Sequence, residues 1–364
     1  MGRFYAIVLV LAAACGDNIV PPPAPPAPTG YPTTGHVNIA QIPEVCGYQA
    51  WASTQDPTVP MQLAVATTTD EVELVTTPLA GGRLHGIAVV PTNKTPLELP
   101  LPVTGSWTAM SRASGRVVIN ELGASGMAID VLGADLASSV QIMQLPGLGN
   151  AVQSVVDVDN SHVLPYVNGS GVWLQQLDDT WHPASLLQVV STDAQDPIEG
   201  LTVAPAGGAA LVGWGTTGDC SLATVFAMDR PAEIVHAGFA CEAPRIAADA
   251  ATGTGALVFQ TQNDVFILNA SSMAKGQLLR ANATAPRIMF DGQRTWASYL
   301  DIHGDIVVGF LAGDGSELIS TALEGIRPQA SGYELAMFEG QPWVFAYDSN
   351  GYTAHRLCVV DAVD

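Results

Sequence analysis

Ala243-Pro244-Arg245-Ile246-Ala247-Ala248-Asp249 returns as Ala285-Pro286-Arg287-Ile288-Met289-Phe290-Asp291, with the two prolines 42 residues apart. One more step of that size reaches Pro328 in Ile326-Arg327-Pro328-Gln329. A fixed period of about 40–45 residues holding several short strands marks the blades of a β-propeller, in which each unit buries its apolar faces on its neighbours. Two stacked β-sandwiches would give no reason for such an echo.

Within these repeats the strands alternate with polar turns. The first strand runs from the proline to Asp249 or Asp291, and the second is Ala256–Gln260, Trp296–Leu300 or Trp343–Tyr347. The third is Val265–Leu268, Ile306–Leu311 or Tyr352–Leu357, and Gly313-Asp314-Gly315-Ser316 signals a hairpin into a fourth, Leu318–Leu323. The earlier chain divides in the same way, with looser similarity, at residues 61–103, 104–147, 148–192 and 193–241. The expected fold is therefore all-β, a seven-bladed β-propeller, with six or eight blades as the alternatives.

The last unit runs out after three strands. An open fourth edge invites aggregation, so the segment 37–50 is expected to come round and supply the missing outer strand. The cysteines agree. Leaving Cys15 aside, Cys46, Cys220, Cys241 and Cys358 form an even set with three possible connectivities. Cys220 opens the third strand of the fourth unit and Cys241 follows its fourth strand, which places them side by side. Cys46 and Cys358 would then join the closing strand to the last one.

Composition narrows the function. The chain carries 34 acidic and 13 basic residues, a net charge of −21, so it lacks the clustered Lys and Arg that replace phosphate counterions on nucleic acid. The same imbalance disfavours adhesion of the domain to an anionic lipid surface. Only 13% of residues are charged, while 36 Gly and 25 Pro suit short strands and tight turns.

The N-terminus reads as an address. Met1-Gly2-Arg3 precedes an apolar run, Phe4–Ala14, too short to span a bilayer, and residues 1–14 are expected to be a signal peptide. Leu11-Ala12-Ala13-Ala14-Cys15-Gly16-Asp17 resembles the lipobox of bacterial lipoproteins, with Leu11 one place earlier than the family pattern. The resemblance implies lipidation at Cys15, and the alternative is ordinary signal-peptidase cleavage after Ala14. Residues 15–35 then form an anchor and spacer whose proline-rich part favours extended polyproline II. Residues 36–364 form the propeller domain, exported and lipid-anchored to the bacterial envelope, in the periplasm or at the cell surface.

Chemical motifs are sparse. No HExxH, GxSxG, CxxC or Walker loop occurs, and none of the seven histidines is spaced as a metal ligand with another. No catalytic residue, cofactor or metal is assigned. Asp157-Val158-Asp159-Asn160-Ser161 begins like a calcium loop but lacks its glycine and closing glutamate, so a turn is the simpler reading. Phe290-Asp291-Gly292-Gln293-Arg294-Thr295-Trp296 is similar to the Asp-box turn of sialidase-like propellers, without its leading serine, and reads as a turn followed by a packing tryptophan. Trp181, beside His182, is expected to be exposed.

One constellation stands out. Arg245, Arg287 and Arg327 fall at near-equivalent places at the start of an innermost strand, where a propeller's channel mouth is built. They would form a partial cationic ring for an anionic ligand, or else bind carbonyls and carboxylates at blade junctions. The functional expectation is a non-catalytic, membrane-tethered binding or scaffolding propeller whose partner is an envelope protein or glycan. The alternative is an exported hydrolase or lyase acting on glycans, with two carboxylates about 5–10 Å apart at the channel mouth.

Overall fold

The computed structural model describes residues 41–361, apart from 57, 68–70, 80–81, 92–96, 106–107, 114–115, 124–125, 133–137, 146–154, 169–170, 192–197, 199, 227–229, 270–275 and 312–317. The expected signal peptide, Cys15 and the spacer lie outside the described residues.

Strand β1 (Gln41–Trp51) leads into the first blade, β2 (Met61–Thr67), β3 (Val72–Pro78), β4 (Gly82–Val89) and β5 (Leu99–Gly105). The second is β6 (Thr108–Ala113), β7 (Arg116–Gly123), β8 (Gly126–Leu132) and β9 (Ser139–Leu145). The third is β10 (Val156–Val158), β11 (Ser161–Asn168), β12 (Gly171–Leu177) and β13 (Pro183–Ser191), and the fourth β14 (Gly200–Ala206), β15 (Ala209–Gly215), β16 (Cys220–Phe226) and β17 (Arg230–His236). The fifth is β18 (Glu242–Ala248), β19 (Gly255–Thr261), β20 (Asp264–Asn269) and β21 (Gln277–Ala281), and the sixth β22 (Thr284–Phe290), β23 (Thr295–Leu300), β24 (Ile306–Leu311) and β25 (Leu318–Leu323). The chain ends in β26 (Tyr333–Phe338), β27 (Gln341–Asp348) and β28 (Gly351–Asp361).

These strands pair into seven four-stranded sheets, six of them simple meanders. The remaining sheet has the order β1-β28-β27-β26, so the N-terminal strand completes the last blade. Each of the innermost strands β2, β6, β10, β14, β18, β22 and β26 touches the next, and β26 touches β2. The ring is closed and the fold is an all-β propeller.

Position in the ring explains the sequence of each strand. A second strand lies between two neighbouring sheets and is buried on both faces, so β15 reads Ala-Ala-Leu-Val-Gly-Trp-Gly, buried throughout. The outermost strand β21, Gln-Leu-Leu-Arg-Ala, is mostly exposed. Apolar side chains fill the joints between blades. Trp51, Leu63, Leu74, Phe345 and Tyr352 lie between the last and first blades, and Trp296, Phe310, Tyr333 and Val344 between the sixth and last. Each such burial contributes roughly 1.5–3 kcal/mol.

Both expected disulfides are present. Cys46–Cys358 joins β1 to β28 across 312 residues, and Cys220–Cys241 clips the fourth blade across 21. Ring closure is therefore secured both by an antiparallel ladder running from Gln41↔Asp361 to Trp51↔Tyr352 and by a covalent bond.

Candidate functional site

The Ala-Pro-Arg echo is a repeated bulge. Pairing of β18 with β19 shifts between Glu242 and Arg245, and pairing of β22 with β23 shifts between Thr284 and Arg287. In both blades the alanine before the proline is left-handed, with φ of 45° at Ala243 and 52° at Ala285. The extra residue bends the strand where it enters the ring. Pro244 thereby packs on Gly200 of the preceding blade, where a Cβ would meet its ring at 2.5 Å.

The bulges bring Arg245 and Arg287 together, with Tyr333 and Glu334 as their electrostatic neighbours. Arg287 is 3% exposed. Its Nε donates to the Tyr333 carbonyl at 3.2 Å and to Glu334 Oε2 at 3.1 Å. Nη1 donates to the carbonyls of Ala285 and Pro286, and Nη2 to that of Ala330. Its guanidinium also lies 4.8 Å from the centre of the Tyr333 ring. Burial, with the Arg287 charge adding to it, pushes Arg245 down to about 10, which leaves it a cation at neutral pH. Burial pushes the Tyr333 phenol up to about 12, so it stays protonated and donates to the Ala285 carbonyl at 2.6 Å.

Arg327 does not join them. It is exposed, and its Nε donates to Asp305 at 2.8 Å in the turn before β24. The 42-residue step breaks here because a longer connection separates β25 from β26. Arg287 pairs with Ser298, two places after Trp296, and the residue in that place in the last blade is Glu334, paired with Phe345 two places after Trp343. Two of the three arginines therefore lie on neighbouring innermost strands, and Arg287 is engaged as a joint between the sixth and last blades.

The turn readings hold. Asp291 Oδ1 accepts from the backbone N–H groups of Gln293 and Arg294, while Oδ2 accepts from the buried Trp296 indole at 2.6 Å. Asp301 caps the N–H groups of His303 and Asp305, and Asp348 that of Asn350. Among the described residues no group of three His, Cys, Asp or Glu side chains is placed to hold a metal ion, and this includes the calcium-like segment at Asp157.

That segment builds a different feature. In a meander, the first and third turns of a blade lie at the same end, so the β10–β11 turn (Asp159, Asn160) sits beside the β12–β13 turn (Asp178–His182). Together they line a cavity of about 640 Å³ whose walls include Asp157, Asp159, Asn160, His162, Asp178 and Asp179. A second hollow of about 390 Å³ shares Asp159, Asn160, Ser161 and Gln176 and extends to Gly208 and Val225 of the fourth blade. The result is an acidic groove at one end of the third blade.

Trp181 packs behind the His162 wall of this groove and corrects the expectation of exposure. It is 8% exposed and stacks on His162 with ring centres 4.0 Å apart. Its φ is +67°, uncommon for a bulky residue. The turn is fixed by Asp178, whose Oδ1 accepts from the Thr180 hydroxyl and from the N–H groups of Thr180 and His182. The Thr180 hydroxyl is the largest of the bonds that hold the Asp178 carboxyl below its usual range. On the other side His162 Nδ1 is 2.7 Å from Asp157 Oδ1. The buried Nε2 of His162 has no hydrogen-bond partner. No contiguous motif marks this groove, because its parts lie on two separate turns. The usable signal was Asp157/Asp159 followed by Asp178/Asp179 one hairpin later.

The sequence matches no protein-family model and no curated protein. Solved structures do match it at the level of fold. Hydrazine synthase of Kuenenia stuttgartiensis aligns with a TM-score of 0.60 at 10% identity, over 85% of this chain and 99% of that one. The WD40 domain of Toxoplasma gondii coronin gives 0.58 at 12% identity, over 88% of each chain. YCF48 bound to a D1 peptide gives 0.54 at 11% identity, over 88% of this chain and 98% of that one. At such identities the likeness is one of fold, and propellers host many unrelated functions.

Proposed function

We propose that the chain is a non-catalytic binding or scaffolding propeller, exported and held at a bacterial envelope by a lipid on Cys15. The observation that carries this reading is the use made of the channel arginines. Arg287 spends its donors on four carbonyls and on Glu334, so this buried cation ties blades together. The ring closed by β1 and by Cys46–Cys358 is a stiff disc suited to presenting turns to a partner. Two disulfides fit an oxidising compartment outside the cytoplasm. One similar propeller, YCF48, has been solved with a bound peptide, which supports a polypeptide as the kind of partner.

The anionic-ligand role of the channel narrows to Arg245. Among the described residues its Nη1 donates to the Pro244 carbonyl at 3.0 Å, so it retains donors that Arg287 has committed.

The test is cross-linking of the tethered protein in its own cells, with mass spectrometry of what is captured. A reproducible partner that disappears when the turns at Asp159–Asn160 and Asp178–His182 are altered is expected. A folded, abundant protein that captures nothing would overturn the reading in favour of the exported glycan hydrolase or lyase.

A further inference from the structure

We infer that Arg245 is a recognition site for a carboxylate, the group carried by a polypeptide chain end or by a small free acid. The inference rests on the binding-module reading and names the ligand chemistry at one side chain of an innermost strand.

Two arginines in equivalent places behave differently. Each follows an Ala-Pro bulge, and each pairs with the second strand of its blade just beyond it, Arg245 with Val258 and Arg287 with Ser298. Across its joint Arg287 finds acceptors on the next blade: the Ala330 and Tyr333 carbonyls and the Glu334 carboxylate. Across its own joint Arg245 finds Arg287, a like charge. Its Nη1 donates to the neighbouring Pro244 carbonyl at 3.0 Å. Its Nε and Nη2 have no acceptor among the described residues. These nitrogens are not sealed in, as the unpartnered Nε of Arg294 is, because the Arg245 side chain is only half-buried and they keep contact with solvent.

Charge points the same way. Two guanidinium groups face one carboxylate, that of Glu334, and it is bonded to Arg287. One positive charge is left in excess at the centre of a chain whose net charge is −21. Charges withdrawn from water are ordinarily paired. A monoanion would pair this one. The Nε and Nη2 donors of a guanidinium lie side by side in a plane, and that fork matches the two oxygens of a carboxylate. A phosphate dianion fits less well, because Arg287 has committed its donors and the second negative charge would lie near Glu334 without a cation of its own.

The test is NMR titration of the full chain carrying isotope-labelled arginine, with the Arg245 Nε–H resonance as the readout. The probes are acetate, acetyl-trialanine with a free C-terminal carboxylate, the same peptide as its amide, and inorganic phosphate. Arg245→Gln and Arg245→Lys assign the resonance, and either suffices if the other fails to fold. A saturable shift is expected with acetate and with the free-acid peptide and none with the amide, while the Arg287 resonance stays nearly still. Arg245→Lys keeps the charge but loses the fork, and is expected to weaken binding about tenfold, read from backbone amide shifts. The exposed-arginine control, Arg327→Gln, is expected to bind as the parent does. Tighter binding of the free-acid peptide than of acetate identifies a chain end as the source, and equal or weaker binding a small free acid. No saturable shift with either carboxylate, an equal response to the amide, or phosphate bound as tightly as acetate would overturn the inference. A silent Arg245 together with a partner captured in cells would sink this inference and leave the binding-module reading standing.

Discussion

Arg287 in β22 is bonded to Glu334 in β26 at 3.1 Å, and this ion pair spans the joint between two blades with the arginine almost wholly buried. Four carbonyls complete its shell. A buried cation so fully satisfied has little capacity left for a ligand, and removing it strands the groups around it.

Arg287→Gln is therefore expected to destabilise the domain by about 3–5 kcal/mol, because it takes the cation from Glu334 and leaves several carbonyls without its donors. Arg287→Lys rescues only part of this, since an ammonium cannot span acceptors placed for a planar fork. Arg327→Gln, which breaks an exposed pair with Asp305, is expected to leave stability nearly unchanged. Urea unfolding of the three variants checks the order. A near-neutral Arg287→Gln would return Arg287 to the list of ligand-binding candidates.

The repeat period, the strand boundaries, closure by the N-terminal segment and the disulfide pairing could all be read from the sequence. Each leaves a local trace: a proline echo, apolar runs between polar turns, a last unit one strand short, and an even set of cysteines. What could not be read depends on register. The step from Pro286 to Pro328 preserves spacing but not structure, because the connection before β26 absorbs extra residues and leaves Glu334 where an arginine was expected. The burial of Trp181 comes from stacking on His162 of β11, a contact between a turn and a strand that no local pattern encodes. The groove was missed for the same reason.

Two buried titratable groups set opposite limits on stability. Burial pushes His355 down to about 4, so the unfolded chain takes up its proton first. Its contribution is present above about pH 6.5 and is lost as pH falls towards 4. Burial, reinforced by Glu71, pushes Glu73 up to about 7, and Glu73 is 3% exposed with Oε2 unpartnered. Here the folded state holds the extra proton, so the contribution is present below about pH 4.5 and is lost as pH rises through 7. Each is worth roughly 3 kcal/mol at full effect. Glu73→Gln is expected to raise stability at pH 8 relative to the parent and to change it little at pH 4. Chemical denaturation at both values measures this, and an equal effect at the two would contradict it.

The two disulfides differ in reach. Removing Cys46–Cys358, which closes a loop of 312 residues, is expected to cost roughly 6 kcal/mol on a chain-entropy argument, against roughly 3 for the 21-residue Cys220–Cys241 loop. Paired serine substitutions followed by thermal unfolding compare them. The Cys46/Cys358 variant should also expose the outer edge of β28 to hydrogen exchange as β1 frays, whereas the Cys220/Cys241 variant should leave that edge protected.

The most direct test of the binding reading is site-specific photo-cross-linking in the living cell. One probe replaces Asn160, in the groove turn, and another replaces His303, in the exposed turn between β23 and β24. Those turns follow a first and a second strand of their blades, so they lie at opposite ends of the ring. The account predicts a discrete adduct from position 160, suppressed by Asp159→Asn with Asp179→Asn, and none from position 303. No adduct from position 160, or the same adducts from both positions, would contradict it.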